Sequence, residues 1–354
     1  YISNFVFFVA TSFVGALVVA ILRLTKNTWR TPIVRIAEII SLACIIMAGL
    51  TIMIDMGRPD RLLYLFIHGR MQSPIIWDVI IIPTYITICL LLLYFPLLPD
   101  LAILKNHFKE TSPKLSKWYG KLALNWTGSL AQKTIQLKSI HIICILIIPT
   151  AFMLQTIDAW LFSTLFRVGW DSTNMGAYFI SGASVAGIGA LVTVVYVIRK
   201  AYKLDEYITD FHFDKLGKFL VLLCLIYLYF NVNEYVIPEF TSKKEEITHL
   251  NHLYTGNFAP LFWFVIVGGL IIPITVLLFK KGRKPRPMFY MGLLVVLGSW
   301  WKRFLIVTPT LLQPFLPIQG VPESWHHYYP SVHEWVITFG TLAMALLIIT
   351  ILVR

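Results

Sequence analysis

The residues best suited to chemistry in this chain are ionisable groups beside long apolar runs. The stretch MIDMGRPDRLLYLFIHGRMQSPIIWDV (53–79) carries acids, arginines and a histidine between two such runs. Asp78 enters the second run beside Trp77, where desolvation would make it a proton acceptor. His68, in the short loop before it, could hydrogen-bond a carbonyl ligand and exchange a proton near neutral pH. The stretch therefore predicts a site of proton exchange.

Both residues also have a structural interpretation. Asp78 follows Ser73 and Pro74, a typical helix start, so its carboxylate could satisfy backbone amides of the first turn. His68 could simply be solvated. Four charged residues nearby are expected to form ion pairs that hold the loop over the bundle. They are Asp55, Arg58, Asp60 and Arg61.

Other polar groups lie inside apolar runs, where burial is costly and usually has a reason. Asp158 is the second acid at membrane depth, and Glu38 and Glu234 are weaker candidates. Lys302 and Arg303 would be excluded from such a setting unless paired, so an ion pair with one of the buried aspartates is expected. Snorkelling of both side chains to the interface is the alternative.

The elements that must position these groups are membrane helices. Hydrophobic residues make up 57% of the chain and charged residues 14%, and the mean hydropathy is +0.73. A bilayer core needs about 20 apolar residues per helix. The sequence predicts an all-α, polytopic transmembrane helical bundle with about nine helices. The apolar runs are 1–22, 33–54, 75–98, 139–165, 175–198, 216–237, 259–279, 287–307 and 332–353.

The chain is expected to form a single membrane domain over residues 1–354. A hydrophilic segment, 99–138, divides a first helix group (1–98) from a second (139–354). Because the sequence opens on Tyr1, already inside an apolar run, a further preceding helix is expected. Tryptophans and tyrosines at the run ends, such as Trp160, Trp170 and Tyr328, are interpreted as interfacial belt residues.

Basic residues alternate between loops. Of the 30 lysines and arginines, 22 lie in the first, third, fifth and seventh loops and at the C-terminal end, and the other 8 lie in the remaining loops. This asymmetry predicts that the first set faces the cytoplasm and that the stretch 53–79 lies at the outer face. The net charge of +12 therefore reflects membrane topology, and nucleic-acid binding is not expected.

Metal centres are not expected within this chain. The cysteines show no paired spacing, so an iron–sulfur cluster, a c-type haem or a zinc site is not supported. Only His141 among the histidines is expected to lie within a span, near its cytoplasmic end, which leaves a b-type haem without its two ligands. Any electron transfer would thus need metal centres in partner subunits. The cysteines are Cys44, Cys89, Cys144 and Cys224.

Several segments, in order along the chain, resemble the NrfD, or polysulfide reductase membrane-subunit, family. The pairing of GRPDR with SPIIWD resembles the signature of that family, and further segments resemble its longer branch, found in alternative complex III, Dsr-type and hydrogenase membrane subunits. These segments are YISNFVFFVATSFVGALVVAIL, LLPDLAILKN, TIDAWLFS, GWDST, GNFAPLFWFVIVGGLIIP, WKRFLIVTP and YYPSVHEWVITFG.

This resemblance implies a ten-helix subunit built around two four-helix bundles, of which this chain would hold the last nine helices. It implies a quinone or quinol site, with menaquinone expected, near the outer face, and no haem or iron–sulfur cluster in this chain. Iron–sulfur (ferredoxin-like) or multihaem cytochrome c subunits would dock outside, beside other membrane subunits and lipid. The expected location is the cytoplasmic membrane of a prokaryote.

The resemblance implies quinol-site roles for His68 and Asp78, and the polar groups inside the apolar runs complete the expected sets. The catalytic set is expected to be Asp78, His68 and Asp158, and the quinone-binding set His68, Asp78, Trp77 and Arg58. A proton pathway is expected through Asp158, Asp171, Glu234, Lys302 and Arg303.

The chain departs from the family pattern at three positions. Relatives often have histidine where this chain has Phe13, Gln155 and Asp171, although Asp158 and Asp171 could replace the lost proton carriers. These departures bear on the quinol site, while the resemblance as a whole implies a quinone-reactive subunit of a respiratory oxidoreductase. The alternative is a structural anchor or proton-conducting subunit with a degenerate quinone site. A transporter unconnected with redox chemistry would instead need a solute site at the midplane.

Overall fold

The structure is a computed structural model that describes residues 1–25, 28–165, 167–313 and 328–353. Regular structure within these ranges is helical throughout. The membrane-length helices among them number nine, which confirms the predicted polytopic bundle. They are α1 (Ile2–Leu24), α2 (Thr31–Asp55), α4 (Pro74–Thr111), α6 (Leu130–Ser163), α7 (Met175–Ala201), α8 (Asp210–Thr241), α10 (Ala259–Leu278), α11 (Pro285–Leu312) and α12 (Val332–Val353).

Three shorter helices connect the spans, namely α3 (Leu62–Ile67), α5 (Pro113–Leu122) and α9 (Lys244–Tyr254). The hydrophilic segment 99–138 is mostly helical, because α4 continues to Thr111 and α6 already begins at Leu130. Helix α5 folds back on the end of α4, where Phe108 stacks on Tyr119 with 5.7 Å between ring centroids. This segment therefore extends the bundle as a helical hairpin.

Helix boundaries follow local sequence signals. Proline occupies the first turn of α2, α4, α5 and α11, where its missing N–H costs nothing. At the start of α8, Thr209 and His212 form a reciprocal capping box. The Ser129 side chain accepts a hydrogen bond from the backbone N–H of Gln132 at the start of α6. Proline thus marks the beginning of α2, α4, α5 and α11, and polar capping groups mark the beginning of α6 and α8.

The spans pack as two groups of four. Helices α1, α2, α4 and α6 form the first bundle, and α7, α8, α10 and α11 form the second, while α12 lies against α2. Helix α1 joins the bundles because it also packs on α7 and α11. Two four-helix bundles are what the family resemblance implied. The boundary between them does not lie at 99–138, because α6, which follows most of that segment, packs on α4 in the first bundle.

The second bundle is tightest where α10 crosses α11. A Cβ added to Gly298 would lie 2.6 Å from the Cα of Gly269, and one added to Gly269 would lie 2.9 Å from the Cα of Gly298. Small residues allow such close backbone approach in membranes, where packing and not water expulsion drives helix association. The two glycines are therefore expected to be required for this crossing.

Replacing Gly298 with alanine should force α10 and α11 apart and lower the free energy of unfolding by about 1–3 kcal/mol. The measurement is the thermal unfolding midpoint in one fixed detergent. Gly340→Ala is the matched control, because an added Cβ there meets nothing within 4 Å. Equal midpoints for Gly298→Ala and the native chain would contradict close packing of these helices.

Candidate functional site

Asp78 lies in the second turn of α4, which begins at Pro74. Asp78 is only 5% exposed, and its Oδ1 atom has no hydrogen-bond partner among the described residues. The first turn of this helix contains no acid, so the interpretation of Asp78 as a first-turn acid is wrong. The carboxyl group instead projects into the packed interior between helices.

Asp158, on α6, is completely buried. Both of its carboxyl oxygens lack a hydrogen-bond partner among the described residues. Helices α4 and α6, which carry Asp78 and Asp158, pack directly on each other. Burying two carboxylates without donors is costly if both are charged, and this cost makes the pair chemically suited to holding and exchanging protons.

Two tryptophans join the helices that carry these acids. Trp77, next to Asp78, packs edge-on against Trp160, two residues beyond Asp158, with ring centroids 6.0 Å apart. Trp77 Nε1 also donates a hydrogen bond to the Met71 carbonyl over 2.5 Å. The hydrogen bond thus connects α4 to the 56–73 loop, and the aromatic contact connects α4 to α6, beside the two carboxyl groups.

His68 and Arg58 occupy a different environment. Both are exposed at the surface of the chain, and His68 ends α3 with its ring 5.9 Å from that of Tyr64. Arg58 pairs with Asp60 at 3.3 Å, which confirms one of the expected ion pairs, although such an exposed pair contributes about 0–1 kcal/mol. The structure therefore does not bury His68 and Arg58 with Asp78.

A cavity of about 260 Å³ opens in the second bundle. Glu234 of α8, Lys302 of α11 and Asp171 of the α6–α7 loop contribute polar groups to its lining, and leucine, isoleucine and tyrosine side chains line much of the remainder. Neither His68 nor Asp78 lines this cavity. It combines apolar walls with a few charged groups, as ligand and proton-access sites do.

Lys302 is only 3% exposed. Its ammonium donates a hydrogen bond to the Tyr235 hydroxyl and lies 4.6 Å from the centroid of that ring and 5.6 Å from the Tyr178 ring. It also interacts electrostatically with Glu234, which accepts a hydrogen bond from the Ser172 hydroxyl at 3.1 Å. Aromatic faces and a nearby carboxylate compensate the buried cation, so Lys302 does not snorkel.

Arg303 faces the interior on the other side of α11. Its guanidinium lies 4.5 Å from the centroid of the Phe179 ring, in space left by Gly182. Its charge acts on Asp158, but the described residues form no ion pair between either buried aspartate and Lys302 or Arg303. The expected direct pair is thus wrong, and the attraction acts over a longer distance.

The loop that carries Asp171 is held by its tryptophan. Trp170 is 3% exposed, and its Nε1 donates a hydrogen bond to the Ile306 carbonyl of α11 at 2.7 Å. Its interpretation as a belt residue is therefore wrong, because the ring is buried. Gly169 precedes it with φ of +81°, a backbone conformation that favours glycine. Asp171 itself is exposed.

Tyr178, Tyr235 and His249 are among the lining residues that sequence reasoning missed. Tyr178 is buried, with a hydroxyl that has no hydrogen-bond partner among the described residues. Aromatic residues at helix ends are common in membrane proteins, so the sequence offered no signal that separated these from ordinary belt residues. Within the described ranges no cluster of three or more metal-binding side chains occurs.

The fold and the buried charges define a polytopic helical membrane protein with polar groups held between its helices. The family described as Polysulphide reductase, NrfD, matches residues 1–314. The chain belongs to this family, which confirms the resemblance seen in its motifs.

Two relatives support the same assignment. A putative dimethyl sulfoxide reductase membrane subunit of Halobacterium salinarum is 24% identical over 370 aligned residues, which cover 99% of this chain and 80% of that protein. A selenate reductase subunit of Mesobacillus selenatarsenatis is 24% identical over 325 aligned residues, covering 87% of this chain and 74% of that protein. The similarity thus extends over nearly the whole membrane domain.

His249, on α9 outside the spans, is the ionisable lining residue whose protonation is easiest to test. It is 7% exposed, and its Nδ1 lies 3.1 Å from Gln313 Nε2. Burial lowers the pKa of His249 from 6.5 to about 4. The unfolded chain would take up a proton below pH 6.5, whereas the folded chain would not do so until about pH 4. Its contribution to stability is therefore present above pH 6.5 and lost as the pH falls.

His249→Gln should consequently reduce the loss of stability between pH 7 and pH 4, by up to about 3 kcal/mol. The measurement is the unfolding midpoint as a function of pH. His107→Gln is the control, since His107 is exposed on α4, and it should leave the acid sensitivity unchanged. If His249→Gln loses as much stability between pH 7 and pH 4 as the native chain does, burial of a neutral imidazole is contradicted.

Proposed function

We propose that this chain is the membrane subunit of a respiratory reductase complex and that it exchanges electrons with a quinone pool, with menaquinone as the expected carrier. Its membership of the NrfD family over residues 1–314 supports the class. The two relatives are named as subunits of dimethyl sulfoxide and selenate reductases. The observation that carries the proposal is the pair of buried carboxyl groups, Asp78 and Asp158, for which the described residues provide no hydrogen-bond donor.

These residues fit a quinol headgroup chemically. A bound quinol supplies two electrons and two protons when it is oxidised. The orphaned Oδ1 atom of Asp78 can accept a hydrogen bond and then a proton from a ring hydroxyl, and Asp158 can take the second proton. Trp77 and Trp160 offer aromatic faces beside the two acids. In this arrangement His68, which is exposed, would act at the entrance, with Arg58 nearby.

Proton release is proposed through the cavity in the second bundle. Arg303 links the two regions electrostatically, since its charge acts on Asp158 and on its neighbour Lys302. An arginine does not give up its proton, so its role would be to set the local potential. Protons would leave past Lys302 and Glu234 to Asp171, which is exposed at the rim.

Electrons would leave to iron–sulfur or haem centres in partner subunits. The alternating distribution of lysine and arginine supports placing the loops 56–73 and 164–174 on the outer side of a prokaryotic cytoplasmic membrane. Partners would then dock at that face, next to the acids and the cavity. Electron transfer through this chain alone is not proposed.

A second candidate function, a structural anchor or proton-conducting subunit with a degenerate quinone site, is favoured by two positions. Phe13 is buried and packs edge-on against Phe152 at 5.4 Å. Gln155 is buried and its Nε2 donates a hydrogen bond to the Val9 carbonyl at 3.0 Å. These side chains occupy positions where the family resemblance leads us to expect histidine, and neither can exchange protons near neutral pH.

Asp78→Asn and Asp158→Asn should each lower quinol oxidation by the assembled complex by about 10²–10⁴-fold, because an amide cannot accept the proton. The measurement is the steady-state rate with a short-chain menaquinol analogue, with assembly checked by gel filtration. Glu110→Gln, an exposed change near the other end of α4, is the control and should retain the native rate. Native rates in both buried variants would favour the anchor function.

Glu234→Gln and Lys302→Met should slow turnover while leaving binding of a quinol-site inhibitor intact, because these residues are assigned to proton release and not to the headgroup. The expected rate loss is roughly tenfold or more. Glu245→Gln, exposed on α9, is the matched control. Loss of inhibitor binding in Lys302→Met would instead place the headgroup in the cavity.

A further inference from the structure

A cluster of arginines surrounds a second cavity at the opposite end of the first bundle. This cavity measures about 250 Å³ and lies where α1 ends and α2 begins, next to Pro96 of α4. Three arginines from adjoining segments line it together with one acid, Glu38. They are Arg23 at the end of α1, Arg30 in the short turn before α2, and Arg35 in α2.

Acids balance only part of this charge. Arg23 pairs with Glu38 at 2.5 Å, and Arg35 pairs with Asp100 at 2.7 Å. Arg30 has no acidic partner among the described residues, and its Nη1 donates to the Arg23 carbonyl at 3.1 Å. The beginning of α2, which has no side-chain cap, adds the positive end of a helix dipole. The cavity therefore carries an excess of positive charge.

Two hydrogen-bond donors in the arginine cluster also lack an acceptor among the described residues. Arg23 Nε and Arg35 Nη1 are shielded from solvent, yet neither has an acceptor among the described residues. Glu38 does not supply one, because only its Oε1 engages Arg23 and its Oε2 stays without a partner. Native proteins rarely leave several buried donors unsatisfied in one place. An anion with several acceptor oxygens would satisfy both nitrogens and offset the charge of Arg30.

We propose that this cavity binds a phosphate group, supplied by the headgroup of an anionic phospholipid. Arginine guanidinium groups match phosphate oxygens in geometry and charge. The loops at this end hold most of the lysines and arginines, and basic pockets between membrane helices commonly take anionic headgroups. Val34 and Pro96 give the cavity an apolar side toward which the acyl chains could extend. Inorganic phosphate is the other source of the same chemistry.

The test uses the full chain in neutral detergent and measures its thermal unfolding midpoint during titration with phosphatidylglycerol, phosphatidylcholine or inorganic phosphate. Phosphatidylglycerol should raise the midpoint, and phosphatidylcholine should not. Arg30→Gln should weaken the apparent affinity about tenfold or more, while Arg30→Lys should restore part of it. Lys117→Gln, an exposed change on α5 at the same end, is the matched control and should behave as the native chain.

Each remaining outcome is decisive. A shift with inorganic phosphate equal to that with phosphatidylglycerol would support the phosphate site and overturn the lipid as its source. Equal effects of the two lipids, or an unchanged affinity in Arg30→Gln, would overturn the site. If Arg30→Gln does not fold, native mass spectrometry of the unmodified chain decides. Preferential retention of phosphatidylglycerol over phosphatidylcholine supports the proposal, and equal retention overturns it.

Discussion

Charge inside the membrane is the constraint on which the rest of this structure depends. A carboxylate or ammonium at this depth has no water to solvate it, so each needs neighbours that replace the solvent. Lys302 is surrounded by tyrosine rings with Glu234 nearby, and Arg303 lies on Phe179. The Oδ1 atom of Asp78 and both carboxyl oxygens of Asp158 have no hydrogen-bond partner among the described residues, and this contrast is the reason for proposing them as the reactive groups.

Helix packing determines where these groups meet. Helix α1 contacts both bundles, so its displacement would alter both sites at once. Close approach of α10 and α11 at Gly269 and Gly298 sets the position of α11. That helix turns Lys302 toward the cavity and Arg303 toward Phe179 of α7. The two consecutive residues thereby have different surroundings, because successive side chains on a helix point about 100° apart.

The two ends of the molecule differ in chemistry. One end carries the buried acids and the cavity near Asp171, and the other carries arginines around Glu38. The first arrangement suits proton exchange, and the second suits binding of anions. This difference underlies both proposals, quinol chemistry at the first end and binding of a phospholipid headgroup at the second.

The sequence by itself determined the class, because runs of about 20 apolar residues leave only helices able to satisfy the backbone in lipid. It also indicated the family through GRPDR and SPIIWD, and it identified Asp78, Asp158 and Lys302 as unusual. Only the tertiary structure decided which groups meet. It kept His68 at the surface, buried Trp170 and separated Lys302 from the aspartates. Those outcomes depend on helix rotation and packing between distant segments, which spacing along one chain does not encode.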